Sequence, residues 1–333
     1  MDVDTDFVQG IDNDSFFIFD NFSKTDIYPK EQPLLLIPYL LVSVFGLVGN
    51  AFVLYIILRC KKMWTTINVY VFSLALGDIL SMLCLLLFTT EVYTSQWILG
   101  TFMCRLFWTF NELIPFTSIY FLTIMSFSIF IQQYFPSFSK RLGPNIAVLT
   151  SVITLIICLL LVMPFYIYAD MDEQNNCQVF WPDPDTFWNL IFISYRLAVG
   201  FLLPLLLTAI FLLVTAFRSL NPNNSAKGSG DVIKESTIMI SVLLFVFFIF
   251  WFPTHVLEMM SALVEDMGIN EVSYHTISLT PYLKCCIFPI IYGFLSHSFK
   301  EEFNAIFCCK KLQENNGPPV DSAEKQDEKL SSC

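Results

Sequence analysis

Seven long apolar runs constrain this chain more than any other feature, at 34–58, 67–90, 104–134, 145–168, 188–217, 235–262 and 274–295. Each is near or above the roughly 20 residues that a helix, rising 1.5 Å per residue, needs to cross a hydrocarbon core. Inside a bilayer every backbone N–H and C=O has to be satisfied within a helix or a closed barrel. The runs are far longer than barrel strands and lack the strict apolar–polar alternation of a barrel wall, so they predict seven membrane-spanning helices. Composition excludes the alternative of a soluble fold: 55% of the residues are hydrophobic and only 14% are charged, against about 25% charged in globular domains. The 35 Phe suit a lipid-facing surface. A net charge of −11 with no visible basic stripe argues against nucleic acid as a partner.

Lys and Arg set the predicted orientation. Arg59, Lys61, Lys62, Lys140, Arg141, Arg218, Lys227, Lys234, Lys300, Lys310 and Lys311 fall on one side, whereas the loops near 91–103, 169–187 and 263–273 contain neither residue type. The basic side is expected in the cytoplasm. The N-terminus is then extracellular, and Asn13 and Asn21 there begin glycosylation acceptor patterns. Residues 1–31 are acidic and polar and do not resemble a cleavable signal peptide, so the first helix is expected to act as the membrane signal. Of the ten cysteines, Cys104 and Cys177 are those expected on the oxidising side, which predicts that they pair. Cys308 and Cys309 follow a short amphipathic segment and form a candidate palmitoylation site at the membrane lipid, the alternative being two inert tail thiols. The predicted fold class is an all-α membrane protein. It divides into an acidic tail (1–33), a seven-helix bundle (34–296), a cytoplasmic juxtamembrane helix (297–309) and a disordered tail (310–333).

Several motifs agree with one family. Gly46-Leu47-Val48-Gly49-Asn50 lies in helix 1, Leu74-Ala75-Leu76-Gly77-Asp78 in helix 2, and Trp97 just before Gly100; Pro204 lies in helix 5, Phe247 and Trp251-Phe252-Pro253 in helix 6, and Pro289 and Tyr292 in helix 7. Together they resemble rhodopsin-like G-protein-coupled receptors. Phe116-Thr117-Ser118-Ile119-Tyr120, Trp181-Pro182-Asp183-Pro184 and Tyr292-Gly293-Phe294-Leu295-Ser296 are most similar to somatostatin and opioid type peptide receptors. The resemblance covers roughly 34–309. It implies a plasma-membrane receptor for an extracellular peptide or small protein, signalling through a heterotrimeric G protein of the inhibitory type. It also implies that Phe247, Trp251, Pro253, Phe288, Pro289 and Tyr292 occupy the activation switch. At the transducer-facing end of helix 3, where the family carries an acidic residue, Arg and an aromatic, this chain has Ser128, Ile129 and Phe130. Phe288 replaces a helix 7 Asn, Leu212 a helix 5 Tyr, and Leu155 stands where helix 4 has Trp.

Five ionisable residues fall within the spans: Asp78, Glu112, Arg196, Glu258 and Lys284. A lipid-facing charge costs at least about 2.5–3.5 kcal/mol, so each should have a partner or a watered site. In the family the Asp78 position holds a sodium ion with polar groups that here include Ser118. Lys284 is expected to supply a tethered cation in place of that ion, the alternative being a side chain that snorkels toward the ligand cavity. Asn111 stands where amine and somatostatin-like receptors anchor a ligand cation with Asp. Glu112 is expected to pair with Arg196 across the cavity, either as a lock between helices 3 and 5 or as a ligand contact, leaving Glu258 free for a cationic ligand. Trp251, His255 and Tyr282 are candidate ligand contacts, with core packing as the alternative for each, and Pro115 is expected to bend helix 3.

The outer loops and tail are acidic, which would steer basic peptides toward the cavity. A non-signalling decoy that binds ligand without coupling remains a second possibility, and a transporter a third. Neither an internal repeat nor paired broken helices support transport. No nucleophile–base pair, phosphate loop or metal spacing points to an enzyme, and no cofactor is expected.

Overall fold

The computed structural model describes residues 32–219, 229–264 and 271–315. Seven helices among them are long and apolar enough to span a membrane. They are α1 (Gln32–Arg59), α2 (Thr66–Thr94), α3 (Gly100–Tyr134), α4 (Pro144–Tyr168), α5, α6 (Ser229–Leu263) and α7 (Glu271–Leu295). α5 is composite: an α-helix over Asp185–Leu197 passes through a π-helical segment, Ala198–Leu202, into a second α-helix, Leu203–Ser219. An eighth helix, α8 (His297–Asn315), follows α7. It outruns the boundary expected at 309, so residues 310–315 are helical rather than tail; residues 316–333 lie outside the described ones.

Between α4 and α5 the chain forms a hairpin absent from the sequence-based expectation, β1 (Ala169–Met171) against β2 (Cys177–Val179), in antiparallel register Asp170↔Gln178. The Cys104–Cys177 disulfide fastens it to the start of α3. At the other end of the bundle Arg59, Lys61, Lys62, Lys140, Arg141 and Arg218 border the helix ends.

Leu, Ile and Phe clothe the outside of the bundle, as at Phe45, Leu160 and Phe217, which costs nothing against lipid tails. The inside holds polar residues, and they answer the backbone groups that prolines release. Pro289 has no N–H for the carbonyl of Cys285 one turn earlier. Asn50 Nδ2 of α1 donates to that carbonyl at 2.8 Å and to the carbonyl of Gly46 at 2.8 Å, joining α1 to α7. Pro281 likewise frees the carbonyl of Ile277, which accepts from Thr280 at 2.7 Å. α3 stays helical from end to end through Pro115.

Candidate functional site

A cavity of about 140 Å³ lies among α2, α3, α5, α6, α7 and the hairpin. Trp108, Asn111, Glu112 and Pro115 of α3, Phe192 and Arg196 of α5, Trp251 and Glu258 of α6, and Tyr282 of α7 line it. Trp181 of the loop after β2 closes one side, stacked on Phe192 with ring centroids 3.9 Å apart. Neither Trp181 nor Phe192 carries a site signal of its own in the sequence; the available signal is the Trp181-Pro182-Asp183-Pro184 run, which follows the disulfide-anchored hairpin.

The charged residues converge on Arg196. One guanidinium nitrogen donates to Glu112 Oε1 and another to Glu258 Oε2. The expected Glu112–Arg196 pair is therefore present, but the expectation of a free Glu258 is corrected. α6 brings Glu258 to the same guanidinium, whose planar fork can serve two carboxylates at once. His255 is also corrected: it does not line the cavity but lies behind it, 7% exposed, with Nδ1 3.4 Å from Glu258 Oε2 and its ring 4.6 Å from that of Phe201.

The π segment explains how Arg196 reaches this position. At 100° per residue, Arg196 in a regular α-helix would sit about 80° around the axis from Pro204, which is buried. One extra residue accommodated in the π segment reduces that offset to about 20°. The widened turn leaves the carbonyl of Val199 to Tyr120 of α3, whose hydroxyl donates to it at 3.2 Å. Gly200 is required at the same place, since a Cβ there would meet the Phe116 ring at 2.7 Å.

Asn111 is already engaged, its Oδ1 accepting from the Tyr282 hydroxyl at 2.9 Å. From Trp251 at the cavity a column of rings continues through Phe247 to Phe201, with centroids 6.0 Å apart in both the Phe247–Trp251 and Phe201–Phe247 contacts. Pro253 lies within α6 just above it.

Deeper still, Lys284 Nζ donates to Asp78 Oδ1 at 2.6 Å and lies 3.4 Å from Ser118 Oγ. Asp78 is fully buried and Lys284 8% exposed, so the lysine turns inward to α2 and not up toward the ligand cavity. Phe288, one turn below, stacks on Tyr292, and Tyr292 donates to Asn68 Oδ1 of α2 at 2.9 Å.

At the basic end, Ile129 is buried at 1% exposure in the apolar core. Ser128 turns back onto its own helix, donating to the carbonyl of Ile124. Phe130 stacks on Tyr134 at 4.6 Å and packs against Phe211 of α5. Arg218 lies 4.2 Å over the Tyr134 ring, and Gln133 Nε2 donates to Ser219 Oγ at 2.9 Å. Aromatic and hydrogen-bond contacts thus join α3 to α5 where a charged cluster was missing from the sequence.

At the disulfide end, Asp170 accepts from the backbone N–H of Met171 and from Arg105 and Thr101. The Met171 bond foremost, with those from Arg105 and Thr101, holds its carboxyl below the usual carboxylate range. Asn13 and Asn21 lie outside the described residues, and Cys308 and Cys309 fall within α8.

Residues 49–292 match the family described as 7 transmembrane receptor (rhodopsin family). The chain belongs to that family. It is 32% identical to somatostatin receptor type 5 of Bos taurus over 86% of this chain and 80% of that protein. Type 2 of Mus musculus is 31% identical over 82% and 77%, and type 1 of Rattus norvegicus 30% over 85% and 74%. This seven-helix receptor is accordingly a multi-pass plasma-membrane protein and not an enzyme.

Proposed function

We propose that this receptor binds an extracellular, positively charged peptide in the cavity beneath the hairpin and signals through a heterotrimeric G protein of the inhibitory type. The disulfide end faces outward and the basic end inward, in keeping with the distribution of Lys and Arg. The peptide class is carried over from the somatostatin receptors it is similar to. The positive charge is supported by the cavity, where one arginine faces two glutamates, and by Asp170, Asp172, Glu173 and Asp183 in the segment that carries the hairpin. Glycans at Asn13 and Asn21 and lipid chains at Cys308 and Cys309 complete the assignment.

The single observation that carries the signalling role is continuity. Glu258 and Trp251 line the cavity, and the ring column beneath them packs into the apolar core that contains Ile129. A ligand that shifts α6 would move that column.

A second reading, a receptor that takes up ligand without coupling, is favoured by the burial of Ile129 where the family has an exposed-reaching Arg, and by the α3–α5 fastening at Tyr134 and Gln133. G-protein activation in cells separates the two. Somatostatin-dependent signal from the unaltered chain supports the first. Somatostatin binding without signal, with activity gained in Ile129→Arg, supports the second.

A further inference from the structure

Charge is spread unevenly around the basic end of the bundle. Beside α6 and α8 the cations have acids for neighbours: Lys234 stands between Asp231 and Glu235, and Lys300 is followed by Glu301 and Glu302. Arg218 lies over the Tyr134 ring. Around α2 and α4 the balance is different. Lys61 and Lys62 before α2, and Lys140 and Arg141 before α4, are all exposed, and neither 59–77 nor 131–169 contains an Asp or Glu. The two pairs are held on one side of the molecule. Thr66 Oγ1 at the start of α2 donates to the carbonyl of Leu142 at 3.0 Å, and the Tyr70 and Thr150 hydroxyls bond at 2.7 Å further along the two helices. Both stretches have fixed backbones: Lys61–Met63 is a turn of 3-10 helix, and the N–H groups of Lys140 and Arg141 donate to the carbonyls of Pro136 and Phe138. The preference of Lys and Arg for the cytoplasmic side explains why they lie at this end of the bundle, but not why four of them gather in one quadrant without a carboxylate.

We infer that this quadrant is a binding surface for a phosphoinositide of the adjoining leaflet, a lipid whose headgroup carries two phosphomonoesters. A lipid is the partner because exposed rings flank the cations. Trp64 lies edge-on to Phe72 of α2 with centroids 6.2 Å apart, and Phe135 and Phe138 belong to the turn that leads into Lys140. Trp concentrates at the headgroup level of a bilayer, and exposed Ile146 and Leu149 carry the apolar face on into α4. A polybasic surface next to a membrane helix is drawn to anionic lipid over about a Debye length. Charge selects among anionic lipids. A phosphomonoester carries roughly −1.5 to −2 charges near neutrality, so two on one headgroup match the four cations. Phosphatidylserine, with one net negative charge, would have to be gathered several times over. Arg141 can grip a phosphate through two N–H groups, while the lysines act as point charges on flexible stems. Both α2 and α4 begin at this end, so the positive ends of their dipoles add to the field. With the basic end inward, as proposed above, the leaflet is the cytoplasmic one; the surface itself depends on neither ligand nor signalling.

The test is the unfolding temperature of the purified full chain in phosphatidylcholine nanodiscs, alone, with phosphatidylinositol bisphosphate, or with phosphatidylserine at matched total charge. The bisphosphate should raise it, phosphatidylserine should raise it less, and added salt should shrink the rise. Soluble inositol trisphosphate should leave it unchanged, since nothing holds that headgroup at the ring-flanked surface. Lys61→Gln, Lys62→Gln, Lys140→Gln and Arg141→Gln together should abolish the rise and weaken binding of a fluorescent bisphosphate lipid at least tenfold. Lys234→Gln with Lys300→Gln should keep both. All six side chains are exposed, so the variants should fold, and the lipid comparison on the unaltered chain needs no variant. Equal rises with the two lipids, or a rise that survives in the fourfold variant, overturns the surface. So does equal protection by the soluble trisphosphate, which would make free phosphate the occupant. A fourfold variant with an unchanged lipid response but no G-protein activation would also overturn it and give the quadrant to the transducer. A chain that meets the lipid criteria but fails to bind somatostatin would uphold the surface and refute the peptide function.

Discussion

Replacing Lys284 with Met keeps most of the side-chain length but removes the cation that faces Asp78. Asp78 is fully buried, and the pair is formed at 2.6 Å. Among the described residues one of its oxygens, Oδ2, has no hydrogen-bond partner, so after the substitution the carboxylate keeps the weak contact of Cys285 Sγ, at 3.3 Å, and whatever enters. Breaking a buried pair from one side costs about 3–5 kcal/mol, whereas replacing both partners with neutral groups is often close to neutral. Lys284→Met should therefore lose about that much stability, and the Asp78→Asn, Lys284→Met double variant should recover most of it. Labelling of the buried thiols of Cys60, Cys84 and Cys158 during a thermal ramp reports unfolding. Repeating the ramp in sodium chloride and in choline chloride asks whether a small cation can take the ammonium's place. The single variant should be stabilised by sodium while the unaltered chain is indifferent. A Lys284→Met receptor as stable as the unaltered one, with no sodium effect, would refute the view that the lysine is a tethered counter-ion.

Gly200→Ala should cost about 1–3 kcal/mol through overpacking, because the new Cβ would meet the Phe116 ring; Phe116→Leu in the same chain should return part of the loss, read by the same thermal ramp. Asp170 is held below the usual carboxylate range, so its contribution is complete above the ordinary carboxylate pKa and disappears as pH falls through its lowered one. The stability gap between the unaltered chain and Asp170→Asn should thus be constant near neutrality and close only below about pH 4. Glu235 Oε1 of α6 accepts the backbone N–H of His297 at the start of α8, at 2.6 Å, serving as a cap from another helix. Glu235→Ala should free the basic end of α6 from α8 and raise ligand-independent G-protein activation; unchanged basal activity would mean that this contact does not restrain α6.

Much of the molecule was legible because the signals are local. Run length and apolar content mark a membrane helix without reference to any partner, and the spans observed lie within a few residues of those expected at most ends. Phase along one helix sufficed to bring Glu112 toward Arg196, and Asp78 with Lys284 followed from the cost of leaving either charge alone. What failed was the role of the third group. Glu258 looked free because a pairwise argument assigns Arg196 one partner, and nothing in either helix's sequence reveals that α6 presents a second carboxylate to the same guanidinium. His255 failed for a related reason: its helix face is inward, but the depth at which Phe201 covers it depends on how α5 and α6 are packed.

The sequence by itself determined the number of spans, the separation of basic and acidic ends, and the identity of the charges that must find partners in the bundle, since each follows from what hydrocarbon does to a single residue or segment. Tertiary structure alone decided who those partners are. The π segment at Ala198–Leu202 turns Arg196 inward, the disulfide-held hairpin brings Trp181 over the cavity, and α6 adds Glu258. The outcome, one cation between two carboxylates, depends on the relative rotation of three helices, which no one helix encodes.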